Sequence, residues 1–198
     1  MTSTARQMPP PITVEEFLAA DQSEFGDAWR YELVDGQPVA HASPSPEHGA
    51  IMMNLGAALK ARLRGTPCRP EGGSAAVPRD KSEDRARISD VMIRCDGKPT
   101  VLFEIISPSD EKSQVRKAIR YADLKNVDGV REIVEVVQDE PLCRIHRWRE
   151  EIGGWQMEEI AGASSTLSLS LLDIQIPFGE IYDGVLPTGG ASPEEPPP

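Results

Sequence analysis

Apolar positions along this chain follow two rhythms, one of period two and one near 3.6, and the change from one to the other predicts its elements. Thr13 to Glu16 has the form of a capping box and predicts a short helix through Ala20. Tyr31 to Val34, the pair Asp35-Gly36, and then Val39-Ala40 predict a hairpin. Ser45 as N-cap and Pro46 at the first helical position open a second helix. In it Ile51, Met52, Leu55, Leu59 and Leu63 recur at helical spacing. Arg69 to Arg87 is rich in glycine, proline and charge and predicts an exposed strand, loop and strand. Ile88 to Arg94 and Pro99 to Ile106 predict two strands joined by Asp96-Gly97. Ser107 to Ser109 punctuates the chain. A helix is expected from about Asp110 to Asn126, with Val115, Ala118, Ile119 and Ala122 as its apolar face. Glu132 to Val137, Leu142 to Trp148 and Trp155 to Ile160 predict three more strands. Trp148 and Trp155 flank the turn at Gly153-Gly154 and are expected to pack across it. Leu167 to Ile176 is expected to finish the edge of the sheet. This order predicts an α/β or α+β fold around a mixed sheet. Residues 1–12 read as a flexible lead, 13–186 as a single domain, and 187–198 as a Pro/Glu-rich disordered tail.

Composition narrows the class. With 198 residues, 27% charged and 39% hydrophobic, the chain suits a soluble globular domain with a substantial core. No apolar run approaches the ~20 residues of a membrane span, and the N-terminus lacks the apolar core of a secretory signal. Cys68, Cys95 and Cys143 are odd in number and lack zinc-ligand spacing, which fits reduced thiols and a cytoplasmic location. The net charge of −11 argues against broad electrostatic binding to nucleic acid. That charge is uneven. Lys60 to Arg94 carries nine basic and five acidic residues (+4), whereas Glu150 to Pro198 carries nine acids and no Lys or Arg (−9).

The candidate chemistry lies in two carboxylates. Glu104 interrupts the apolar run Val101 to Ile106, and Asp90 stands at the head of Val91 to Ile93. A carboxylate inside a strand is costly unless paired. Two of them on consecutive strands can share a hard cation such as Mg²⁺, which would activate water and stabilise charge on a phosphate. Period-two alternation puts Glu104 on one face with Leu102 and Ile106, and Phe103 with Ile105 on the other. On the residues alone a second reading stays open, in which Asp90 ends a strand and Glu104 pairs with an arginine.

Six segments, taken in order, resemble one known family. They are Tyr31 to Gly36, Ser43 to His48 before an amphipathic helix, Ser89 to Met92, Phe103 to Ser109, and Lys117 to Tyr121 followed by Val130 to Val136. Together they resemble the Uma-two type putative restriction endonucleases within the PD-(D/E)xK nuclease superfamily, over about Val14 to Val185. The resemblance implies a restriction-endonuclease-like core, with Asp90 and Glu104 binding Mg²⁺ (or Mn²⁺) and the backbone carbonyl of Ile105 as a third ligand. It also implies that Lys117 supplies the catalytic lysine from a helix, with Lys112 as fallback, and that Glu32 and His48 lie near the site. Two positions depart from the pattern. Ser89 replaces the usual proline, and Ile106 stands where the wider superfamily has its lysine.

Other roles remain open for some of these residues. Glu32 serves either as a third carboxylate or in a salt bridge to Arg30 or a neighbouring strand. His48, in the first turn of its helix, suits either phosphate or a cap. Tyr121 either holds Lys117, stacks on substrate or packs in the core. Three functions stay open: a Mg²⁺-dependent endonuclease acting on DNA, a non-catalytic binding or assembly module that keeps the nuclease fold, or hydrolysis of another phosphate ester such as RNA or a nucleotide. An edge strand and the tryptophan hairpin suit a homodimer, which two-strand cleavage would favour.

Overall fold

The computed structural model describes residues 10–28, 30–41, 43–76, 83–108 and 114–186. Most of the expected N-terminal lead, the tail at 187–198 and the fallback Lys112 lie outside the described residues.

The capping box at Thr13 forms as expected. Its hydroxyl accepts from the Glu16 amide while Glu16 caps the Thr13 amide, opening α1 (Val14–Ala19). After a short 3₁₀ turn come β1 (Arg30–Val34) and β2 (Gln37–His41). Asp35 and Gly36 join them with φ of 51° and 70°, the left-handed pair that a two-residue hairpin requires. The Leu33 and Ala86 amides and carbonyls exchange hydrogen bonds, both 3.0 Å, which ties β1 to a segment far along the chain. Val14, Phe17, Tyr31, Leu33 and Ala86 form a small core beneath this hairpin.

Ser45 caps α2 (Pro46–Arg62), with Pro46 in the first turn. The main sheet follows: β3 (Cys68–Ala76), β4 (Arg87–Cys95), β5 (Lys98–Ile106), β6 (Glu132–Val137), β7 (Leu142–Arg149) and β8 (Gly154–Ala161). It has six strands in sequential order. All neighbours are antiparallel except β5 and β6. That parallel step needs a crossover, and α3 (Gln114–Lys125) lies between those two strands in the chain. Trp148 pairs with Trp155 in register, and their rings meet edge to face at 5.9 Å.

Alternation divides the sheet's two faces. Val91, Ile93, Val101, Phe103 and Ile105 pack against Ile51, Leu55 and Leu59 of α2 in the larger core. Met92, Leu102 and Ile133 face the other way, against Tyr121 and Leu124 of α3.

Three expectations are corrected. First, β9 (Thr166–Leu169) and β10 (Ile174–Pro177) do not finish the sheet. They form a separate two-stranded hairpin, whose Leu167, Leu169, Ile174 and Ile176 cover the larger core beside α4 (Phe178–Ile181). Their apolar residues look like sheet residues because they are buried, but against side chains rather than a strand edge. Second, Cys68 and Cys95 are disulfide-bonded across 27 positions. Antiparallel β3 and β4 set the two opposite each other, a pairing that spacing along the chain does not reveal. The cysteines therefore no longer argue for a reducing compartment; Cys143 is free and buried. Third, the face of α3 differs from the expected one. Ala118, Ile119 and Ala122 are exposed, whereas Lys117, Arg120, Tyr121 and Leu124 turn toward the sheet. Those four stand at i, i+3, i+4 and i+7, the spacing of a buried stripe, but two of them are cations. Among the described residues, no helix is long and apolar enough to cross a membrane.

Candidate active site

Glu104 stands near the end of β5, on the α3 side of the sheet and only 3% exposed. Val91 pairs with Phe103 across the β4–β5 ladder, so the next step sets Asp90 opposite Glu104. Asp90 is fixed on both oxygens. Its Oδ2 accepts from the Ile105 amide at 2.9 Å, and its Oδ1 lies 2.9 Å from Arg30 Nη2 and 3.3 Å from His48 Nε2. His48 reaches it from the first turn of α2, where its own amide donates to Ser45. Burial works against the charge on Asp90, but His48, Arg30 and the Ile105 amide outweigh it and hold the carboxyl below its ordinary range.

Glu32 enters from β1 and is completely buried. Its Oε1 accepts from the Ile88 amide at 2.8 Å and from Arg120 Nη1, while Oε2 lies 3.1 Å from Arg87 Nη1 and 3.0 Å from His41 Nε2. Burial raises its pKa, but His41, Arg120 and Ile88 overcome this and it ends well below the carboxylate range. Of the two readings left open for Glu32, the structure contains an ion pair, with Arg87 and Arg120 rather than Arg30.

Arg120 connects these groups. Its Nε donates to Glu104 Oε2 at 2.6 Å, Nη1 to Glu32 Oε1 at 2.5 Å, and Nη2 to the Ile88 carbonyl at 2.8 Å. The pairing of Glu104 with an arginine is thus present. It leaves Glu104 Oε1 buried without a hydrogen-bond partner. Burial, together with the charges of Asp90 and Glu32, outweighs Arg120 and pushes Glu104 from an ordinary 4.5 up to about 7.

Lys117 meets a carboxylate from the next strand. Its Nζ lies 2.6 Å from Glu135 Oε2, and Glu135 is the register partner of Glu104 across the parallel β5–β6 ladder. His146 Nε2 lies 2.8 Å from Glu135 Oε1 and Arg144 Nη1 3.3 Å from Oε2. Tyr121 is buried, bonds Glu135 and sets its ring 5.2 Å from that of His146, tilted by 31°. It packs in the core and braces this second cluster at once. Lys117 and Arg120, three positions apart on one helix, therefore face two glutamates side by side.

Burial opposes the charge on Glu135, but His146 and Lys117 overcome it and bring its pKa from 4.5 down to about 2. A carboxyl depressed in the folded state adds stability that is complete above the unfolded pKa and is lost as pH falls toward the folded one. Wild type should therefore lose stability between about pH 4.5 and 2 faster than Glu135→Gln, which has nothing to titrate there. Urea midpoints at pH 7, 4 and 3 check this. Parallel acid limbs for the two proteins would refute it.

Asp90 and His48 are thus paired directly, Glu104 and Glu32 are joined through Arg120, and strand register sets Asp90 opposite Glu104, with Lys117 one strand away. Sequence reasoning missed Arg120, Glu135, His41 and His146. Glu135 carried the same signal as Glu104, a carboxylate inside the apolar run Ile133 to Val137.

The donor chemistry here suits a hard divalent cation. Among the described residues no three His, Cys, Asp or Glu side chains already stand as a chelate. Yet three carboxylates, Glu32, Asp90 and Glu104, interact electrostatically in one buried place, and one of their oxygens has no partner. A carboxylate oxygen left without a donor beside other carboxylates is the kind of ligand such a cation takes.

Known proteins resemble this chain in sequence family and in fold. The Uma2 family, described as "Putative restriction endonuclease", matches residues 14–179. A solved structure from Anabaena variabilis ATCC 29413, titled a putative nuclease belonging to DUF820, shares the fold. Its TM-score is 0.67 at 16% identity, covering 89% of this chain and 100% of that one. No curated protein matches.

Proposed function

Because the chain belongs to the Uma2 family of putative restriction endonucleases, we propose that it is a Mg²⁺-dependent endonuclease that hydrolyses phosphodiester bonds in DNA. Mn²⁺ would substitute. One observation carries this reading. Glu104 is buried among other carboxylates with its Oε1 unpartnered, an expensive arrangement that a cation would satisfy.

In this reading Asp90 and Glu104 hold the cation, with the Ile105 carbonyl as a third ligand. A bound divalent ion lowers the pKa of water and offsets charge on the phosphate. The protein's own groups do the rest. Asp90 is held in one orientation by the Ile105 amide, Arg30 and His48. Lys117, paired with Glu135 beside Glu104, steers the attacking water or offsets the negative charge that grows on the phosphoryl oxygens. Ile106 then needs no lysine of its own. His48 stands in the first turn of α2, where the helix dipole favours phosphate. Glu32 acts through its partners, anchoring Arg87 and Arg120. In-line attack forms the bond from water oxygen to phosphorus and breaks the bond to the leaving sugar oxygen, which takes up a proton. The stretch from Lys60 to Arg94, +4 in sequence, would supply a local attraction for DNA on an otherwise acidic chain. Two copies, joined through an edge strand such as β8, would cut both strands.

The test uses supercoiled plasmid, purified protein and Mg²⁺. Nicking or linearisation is expected, to be stopped by a chelator and to be absent from an Asp90→Ala variant whose circular dichroism matches wild type. Equal cleavage by wild type, Asp90→Ala and Glu104→Ala would sink the proposal. DNA retained but uncut with either Mg²⁺ or Mn²⁺ would favour the non-catalytic module.

A further inference from the structure

The three nitrogens of the Arg120 guanidinium each donate to a different acceptor: Glu104 Oε2, Glu32 Oε1 and the Ile88 carbonyl. A guanidinium usually meets a carboxylate with two parallel bonds. Here it gives Glu104 only one, and the other oxygen of that carboxylate is buried without a partner. Arg120 therefore offsets part of the cluster's charge but does not fill it in geometry.

We infer that Arg120 is a built-in counter-ion standing against the carboxylates where a divalent cation binds, so that it sets the cation affinity of the site. The inference rests on the metal-dependent reading above. Its physical basis is that two cations cannot share Glu104 cheaply. An arginine cannot leave the competition by losing its proton, because it stays charged at any ordinary pH. It has to move off Glu104 Oε2. It can do so and remain paired, since Nη1 and Nη2 keep Glu32 and Ile88. Without a cation, Arg120 is what makes this group of buried carboxylates tolerable. With one, the same side chain opposes entry. The neighbouring cations do not compete in the same way: Arg30 holds Asp90, Arg87 holds Glu32 and Asp123, and Lys117 holds Glu135. Only Arg120 is hydrogen-bonded to Glu104 among the described residues.

The experiment is isothermal titration of the full chain with MnCl₂, for wild type, Arg120→Gln and Arg120→Lys, with melting temperatures recorded with and without the ion. Arg120→Gln is expected to bind Mn²⁺ at least ~10-fold more tightly than wild type. It should also melt lower than wild type without the ion and gain more from its addition. Arg120→Lys, whose single ammonium cannot serve Glu104, Glu32 and Ile88 together, should shift affinity in the same direction by a smaller factor. It carries the comparison should the Gln variant fail to fold without the ion. Adding Glu104→Gln to the Arg120 variant should remove the gained affinity. Folded variants that bind Mn²⁺ no more tightly than a wild type that itself binds would overturn the inference and leave the proposed function standing. No binding by any of these proteins would overturn both.

Discussion

At pH 8, Glu104→Gln should lose at least ~1,000-fold of the Mg²⁺-dependent DNA cleavage and yet melt at a higher temperature than wild type. The loss follows from the role proposed for Glu104. A cation at the reacting phosphate supplies several kcal/mol of charge stabilisation, and about 4 kcal/mol is a factor of ~1,000 in rate. Glutamine keeps the shape but is a poor ligand for a hard cation. The gain in stability follows from burial. Glu104 is held at about 7 against an ordinary 4.5, so between those values the folded protein keeps a proton that the unfolded chain has released. Stability therefore falls as pH rises through that window and stays lower above it. The full difference corresponds to roughly 3 kcal/mol. Glutamine recovers part of it, on the order of 1–2 kcal/mol, after giving up the charged bond to Arg120. In a protein of this size that is about 2–8 °C. The advantage should shrink to nothing near pH 4, where wild type is protonated too. Cleavage assays and thermal scans at pH 4 and 8, the scans without metal, are the measurements. A variant less stable than wild type at pH 8 would show that the Arg120 pairing outweighs burial.

Glu32→Ala should have the opposite effect on folding, costing about 3–5 kcal/mol, the usual penalty for breaking a buried ion pair from one side. The residue is fully buried and its two oxygens serve Ile88, Arg120, Arg87 and His41. Alanine strands two guanidinium groups and a backbone amide together. Arg87 keeps Asp123, and Arg120 keeps Glu104, which is why the loss is placed no higher. Chemical denaturation at pH 7 should show a lower midpoint with a similar slope, and Glu32→Gln, which retains the Ile88 bond, should fall between. A loss below about 1 kcal/mol would mean that water replaces the carboxylate, and the ion pairs would then carry little of the stability.

Local features of the fold were legible because their causes are local. Asp35-Gly36 and Asp96-Gly97 form the left-handed turns their sequences call for, with φ of 51° and 70° in the first pair and 49° and 80° in the second. Thr13 and Ser45 cap the helices they precede. The face of Glu104 followed from period two alone. What escaped depends on partners far along the chain. Cys68 meets Cys95 through strand register, and His41 and His146 gain meaning only from Glu32 and Glu135. For α3 the apolar residues misled, because the helix buries a stripe begun by Lys117 and Arg120. A helix facing apolar strands is expected to present apolar residues. One facing strands that carry Glu104 and Glu135 presents cations instead. Reading the strands first would have reversed the assignment of the helix.

The bridge between Leu33 and Ala86 has a consequence for how the site can be lost. Glu32 and Arg120 are 88 positions apart, and no short stretch of the chain contains both. The bridge is what brings the glutamate into range, one residue away from it on a hairpin outside the six-stranded sheet. Freeing that hairpin would break the contacts of Glu32 with Ile88, Arg87 and Arg120 and take Arg30 from Asp90 while the sheet stayed whole. The buried charges thus depend on a clasp at the margin of the molecule, and competence can be lost there without unfolding the core.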